Sequence, residues 1–64
     1  MKAYVCEVEE YNGNRTPYRV FAMNAEGARN KLIKLFPKCY VHLAVYFTEY
    51  VKDKANSGKV IKMI

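Results

Sequence analysis

One histidine, His42, and two cysteines, Cys6 and Cys39, are the obvious material for nucleophilic or metal chemistry in this chain. No serine lies near His42, and the cysteines lack CxxC spacing. With a single histidine they fall short of the ligand set of a structural zinc site. Neither a P-loop nor a GxGxxG turn is present to cradle phosphates. Glu7, Glu9 and Glu10 crowd together as general acid/base catalysts can, but charge along a solvated strand edge explains them better. Cys6 becomes a nucleophile only where something lowers its pKa, and on an apolar strand face it is inert core. The residues therefore point away from catalysis, metals and cofactors, and towards recognition. Tyr40, His42, Tyr46 and Tyr50 recur within one short run, and Arg29, Lys31, Lys34 and Lys38 cluster just before it.

The elements that position these groups follow from periodicity. Residues 2–11 alternate, with Tyr4, Cys6 and Val8 on one face and Val5, Glu7, Glu9 and Tyr11 on the other, which predicts a half-buried strand. Asn12 to Thr16 supply turn chemistry, and residues 17–23 return as a second strand with Pro17 at its start. Asn24 reads as an N-cap of a helix over 25–36 that Pro37 ends. Ala25, Ala28, Leu32, Leu35 and Phe36 form its packing stripe, Lys31 and Lys34 point away, and Arg29 snorkels from the edge. Residues 39–52 give the longest alternating run and predict a third strand. Cys39, Val41, Leu43, Val45 and Phe47 would be its core face, with Tyr40, His42, Ala44, Tyr46, Thr48 and Tyr50 opposite. A polar loop over 53–58 leads to a short last strand, 59–64.

The expected architecture is a single α+β domain over residues 1–64. Its pattern is ββαββ, with one helix packed on one face of a small antiparallel sheet of strand order 2-1-3-4. One helix cannot cover both faces, so Tyr40, His42, Tyr46 and Tyr50 should line an open face with Val5 and Tyr11. Either Arg19, Phe21 and Met23 or Tyr18, Val20 and Ala22 join them, depending on hairpin register. Uncovered aromatic faces of this kind tend to mark interaction sites. Tyrosines half-buried against their neighbours are the plainer alternative. In this register His42 lies across from Glu9, as a modest surface pair or as a contact whose charge matters to a partner. Cys6 and Cys39 fall too far apart along the sheet to form a disulfide.

At 52% hydrophobic and 27% charged, the 64 residues can fold rather than remain disordered. Eleven Lys and Arg against six Asp and Glu leave a net charge of +5, which favours an anionic partner, nucleic acid or an acidic protein surface. Solubility alone accounts for a charge of that size equally well. Some of the lysines need no partner: Lys34 and Lys38 suit the negative end of the helix dipole, and those near the last hairpin can protect an edge strand. No apolar run is long enough to span a membrane, and Glu7 comes too early for a signal peptide, so the chain reads as cytoplasmic with reduced thiols. A monomer and a face-to-face homodimer are both compatible with the pattern.

The opening MKAYVCEVEE, the helix entry Ala22-Met23-Asn24-Ala25-Glu26-Gly27-Ala28-Arg29 and the Lys38-Cys39-Tyr40 start of the third strand resemble small phage and mobile-element ββαββ proteins. These include anti-CRISPR inhibitors of type I surveillance complexes. The resemblance implies a non-enzymatic inhibitor that docks on and occludes a nucleic-acid-handling protein complex, acting in the host cytoplasm. Its basic residues would engage the site that normally accepts nucleic acid. The residues themselves allow direct DNA or RNA binding through the same basic and tyrosine groups, or a homodimeric structural module.

Overall fold

A computed structural model of the chain describes residues 1–64. Strands β1 (Lys2–Glu9) and β2 (Arg15–Ala22) form the expected hairpin. Its register sets Tyr4 opposite Val20 and Cys6 opposite Tyr18, and sets Val5 opposite Arg19 and Glu7 opposite Pro17. Because side chains alternate, Tyr4, Cys6, Val8, Tyr18, Val20 and Ala22 share one face, and Val5, Glu7, Glu9, Arg15, Arg19 and Phe21 share the other. The turn closes through Gly13, whose φ of 89° is one that residues with a Cβ rarely adopt. The Asn12 side chain accepts from Asn14 N–H at 3.0 Å.

Helix α1 (Ala25–Leu35) begins as its sequence predicts. Asn24 Oδ1 accepts from Gly27 N–H at 2.7 Å and satisfies one of the unpaired first-turn amides. Gly27 has a packing reason, since a Cβ there would stand 3.2 Å from that same oxygen. The helix lays Ala28 and Leu32 onto Tyr4, Cys6, Val8, Val20, Ala22 and Val41, with Tyr18, Phe36, Cys39 and Ala44 at the margin. Ala25 and Leu35, assigned to the stripe on spacing, stay exposed: Ala25 lies in the first turn, and Leu35 falls on the flank of the stripe that runs through Ala28, Leu32 and Phe36.

The chain is thus α+β, with one helix packed on a mostly antiparallel sheet. Three features of its second half depart from expectation. The predicted strand 39–52 is only two short strands, β3 (Tyr40–Val41) and β4 (Val45–Tyr46), followed by helix α2 (Phe47–Lys52). Both strands pair antiparallel with β1, Val41 opposite Val8 and Val45 opposite Val5. Between those pairs β1 contributes Cys6 and Glu7, whereas the partner contributes His42, Leu43 and Ala44. The surplus residue is a β-bulge, and it switches every later side chain to the opposite face. Leu43, expected in the core, is 80% exposed, Val45 is exposed opposite Val5, and Tyr46 moves to the α1 face.

The strand order changes as well. The expected 2-1-3 neighbourhood holds, but the last strand, β5 (Lys62–Met63), does not pair with the third. It runs parallel to β2 on the opposite edge, Lys62 beside Tyr18 and Met63 beside Arg19, giving β3-β1-β2-β5 with β4 also on β1. Because 47–52 coils into a helix, no strand continues from β4 for a hairpin partner, and the chain passes from one sheet edge to the other. On the way α2 packs against β1, so the face expected to lie open is partly covered and Val5 on it is buried. No helix is long and apolar enough to cross a membrane.

Candidate functional site

Glu7 is the centre of the polar cluster on the face opposite α1. Its carboxylate accepts from Tyr50 Oη at 2.7 Å and from Lys59 Nζ at 3.1 Å, and meets an Arg15 guanidinium nitrogen at 3.4 Å. Arg15 Nε reaches Glu9 Oε1 at 3.1 Å, and the same oxygen lies 2.7 Å from His42 Nε2. The strands explain the assembly: Glu7 and Glu9 share a face by alternation, and the hairpin register brings Arg15 opposite Glu9. Lys59 arrives from the segment after α2, where Asn56 also holds its ammonium at 3.1 Å.

Electrostatics fix the protonation states. Partial burial pushes the Glu7 pKa up, but hydrogen bonds from Tyr50, Lys59 and Arg15 and the charge of Lys59 outweigh it, so the carboxyl sits below its ordinary range. Glu9 is also lowered, by its hydrogen bond with His42 first and then by Arg15, against a smaller desolvation cost. Burial, reinforced by Glu7 and Asp53, raises the Tyr50 phenol, which remains a donor. Burial likewise pushes the Cys6 thiol up to about 11, with Arg29 offsetting only part. A thiol held protonated on the α1 face, across the sheet from His42, forms no Cys–His nucleophilic pair. Both cysteines are free, and no group of three or more His, Cys, Asp or Glu side chains is placed to hold a metal ion.

The eight residues singled out from sequence do not form one surface. Tyr40 is 59% exposed and packs edge-on against His42 at 4.7 Å, so these two stand together beside Glu9. Tyr46 is on the α1 side, stacked on Tyr4 at 5.3 Å with Lys2 Nζ 5.4 Å from its ring. Tyr50, expected to face solvent, is 7% exposed, because α2 turns it inward onto Glu7. It is a structural donor, and the tyrosine face imagined from alternation does not exist as such.

Arg29 is half-buried and spends its Nε–H on the Val41 carbonyl at 2.9 Å, tying α1 to β3. Lys31 donates to the Phe21 carbonyl at 2.6 Å, while Lys34 and Lys38 are exposed. Of the 11 cationic side chains, only Arg15 and Lys59 belong to ion pairs; the other nine have no carboxylate within 4 Å. Lys31 and Lys34, three residues apart on α1, are neighbours on one helix surface, with Lys38 just beyond its end. The two carboxylates on the strand face are neutralised locally, whereas α1 carries Arg29, Lys31 and Lys34 against Glu26 alone, and none of these four is ion-paired.

A second grouping went largely unread in the sequence. Arg19 lies over the Phe21 ring at 5.2 Å and near the Phe47 ring at 5.6 Å, and its Nη2 is 3.1 Å from Met63 Sδ. Arg19 and Phe21, two apart on β2, were legible as sharing a face, with the choice of face left open. Phe47 and Met63 reach them only because α2 and β5 take their unforeseen places. No family model, curated protein or solved structure matches the chain.

Proposed function

We propose that this chain is a non-enzymatic binding protein that contacts nucleic acid directly, with the cationic surface of α1 as its electrostatic footing. The observation that carries the reading is the segregation of charge: Glu7 and Glu9 are occupied by Arg15, Lys59 and His42, while Lys31, Lys34 and Lys38 face no carboxylate. Lys34 and Lys38 have no internal partner and Lys31 spends one donor on a backbone carbonyl, so their charges are free to displace counterions from phosphates, which supplies most sequence-independent affinity. This reading gains over occlusion of a nucleic-acid-binding site on a protein. Such a site is itself cationic, and the lysines of α1 would be repelled by it.

Fluorescence anisotropy with labelled single-stranded and duplex DNA and RNA tests the proposal. Binding is expected at low salt, weakening steeply as salt rises, and Lys34→Glu with Lys38→Glu should abolish it without unfolding the chain. Absence of binding to every probe at low salt would dispose of it.

The inhibitor reading keeps one supporting observation, the exposed apolar edge of Tyr40, Leu43, Val45 and Tyr46 beside β1. Edges of this composition suit protein contacts. An anti-CRISPR-like inhibitor would use that edge to occlude a nucleic-acid-handling complex. It predicts a stoichiometric protein complex that Leu43→Asp disrupts and that charge reversal on α1 leaves in place.

A further inference from the structure

Arg19 and its surroundings carry a more specific proposal, which rests on the nucleic-acid reading above. We infer that Arg19 and Phe21 form a platform for an unpaired nucleotide, with the base on the exposed part of the Phe21 ring that Arg19 does not cover and the phosphate on the guanidinium, so that the chain prefers single strands to duplex.

The two arginines of the hairpin's outer face define the argument. Arg15 is fully engaged, bound to Glu7 and Glu9. Arg19, in the same strand and on the same face, has no carboxylate within 4 Å, and its one side-chain acceptor is the thioether of Met63. A thioether is a weak acceptor, and a guanidinium offers five N–H donors in a planar fork suited to phosphate. The nearest acid on its strand face, Glu7, is one same-face position away and already taken by Tyr50, Lys59 and Arg15. The fork is held over Phe21 and Phe47 by cation–π attraction, which fixes its position while leaving its donor edge uncommitted.

Phe21 supplies the apolar half. It is 47% exposed despite its place in a strand, because its cross-strand neighbour is the small Ala3. One further cation reaches its backbone: Lys31, extending from α1 on the other side of the sheet, donates to the Phe21 carbonyl at 2.6 Å. An exposed ring beside a guanidinium with no carboxylate partner matches a ligand that alternates flat π-surfaces with anionic phosphates. Duplex DNA hides its base faces and can use the cations alone.

Anisotropy titrations with labelled oligothymidylate and a duplex of equal length, at one low salt concentration, separate the possibilities. Phe21→Ala should weaken oligothymidylate binding roughly 5- to 140-fold, the range of one lost base stack, while leaving duplex binding unchanged. Phe21→Tyr should restore it, and circular dichroism should show all variants folded. Arg19→Lys, which keeps the charge and loses the fork, should weaken single-strand binding as well. Equal affinity for both probes, or Phe21→Ala binding oligothymidylate like the wild type, overturns the platform and leaves the cationic surface standing. Failure of both probes to bind overturns the platform and the wider reading together. A protein that binds neither probe but forms a stoichiometric protein complex through Phe21 would assign this patch to a protein partner instead, and that also refutes the proposal.

Discussion

The two faces of the sheet are built on opposite principles. Under α1, Leu32, Ala28, Cys6, Val8, Val20 and Val41 meet as an apolar layer with no buried polar side chain. On the other side the central groups are a carboxylate, a phenol and an ammonium, with the buried Val5 and Pro17 and the surroundings of Arg19 as apolar contact. A chain this short can afford one hydrophobic layer. The second face holds together instead by satisfying charges locally, which leaves it adjustable where the first is not.

The sharpest way to separate the faces is Leu32→Ala. It removes a fully buried side chain from beneath α1 and should cost about 2–5 kcal/mol in urea unfolding. Tyr50→Phe probes the opposite side. Deleting the hydroxyl removes a hydrogen bond to a charged group and should cost about 1.5–3 kcal/mol. If the phenylalanine variant matched the wild type, the polar cluster would be ornament rather than a second fastening.

Acid should loosen the polar face before the apolar one. Glu7 and Glu9 titrate below their ordinary values when folded, so their contribution is complete above ~4.3, the usual glutamate pKa, and is lost as pH falls through the lowered values. Thermal melts across acidic pH should show this decline, and Glu7→Gln should flatten it. Alkali acts on both layers, because the Tyr50 phenol and the Cys6 thiol are both raised. The Cys6 thiol is raised to about 11, so its stabilisation is full below ~8.5 and falls as pH rises towards that value. Replacing Cys6 by Ala should remove this alkaline component.

The smallest effects belong to the surface. His42→Ala breaks a half-exposed pair with Glu9 and should cost no more than about 1 kcal/mol. Leu43→Ala, which the alternation pattern would rank beside Leu32→Ala, should fall within about 0.5 kcal/mol because Leu43 faces water.

That contrast between Leu32 and Leu43 also marks where the sequence was legible. The hairpin, the Asn24 cap and the α1 stripe were readable because each is a local rule repeated over many residues: alternation, side-chain capping, helical spacing. The contact of His42 with Glu9 followed from their shared face, although the register sets Tyr40 rather than His42 opposite Glu9, so the pair meets on the diagonal. After Val41 a single surplus residue reverses the phase, and no composition signal marks it, since Leu43 is as apolar as its neighbours. Helix α2 left a faint trace: Phe47, Tyr50 and Val51 have helical spacing, with Glu49 in the first turn and Lys52 in the last. Over six residues that trace loses to an alternating run that begins well before it. The place of β5 was beyond local rules, because it depends on where α2 sends the chain. Of the candidate site, the lysines of α1 that face no carboxylate were visible from helical geometry, whereas the burial of Tyr50 and the convergence on Arg19 were products of the crossing.

The bulge at Leu43 has a consequence for how this chain can change. With two residues of β1 facing three, losing one codon there would leave Val41 opposite Val8 and Val45 opposite Val5, and close β3 and β4 into an uninterrupted ladder. Deletions inside a sheet ordinarily scramble everything downstream; this one would preserve both flanking registers, giving the gene a spot where shortening is tolerated.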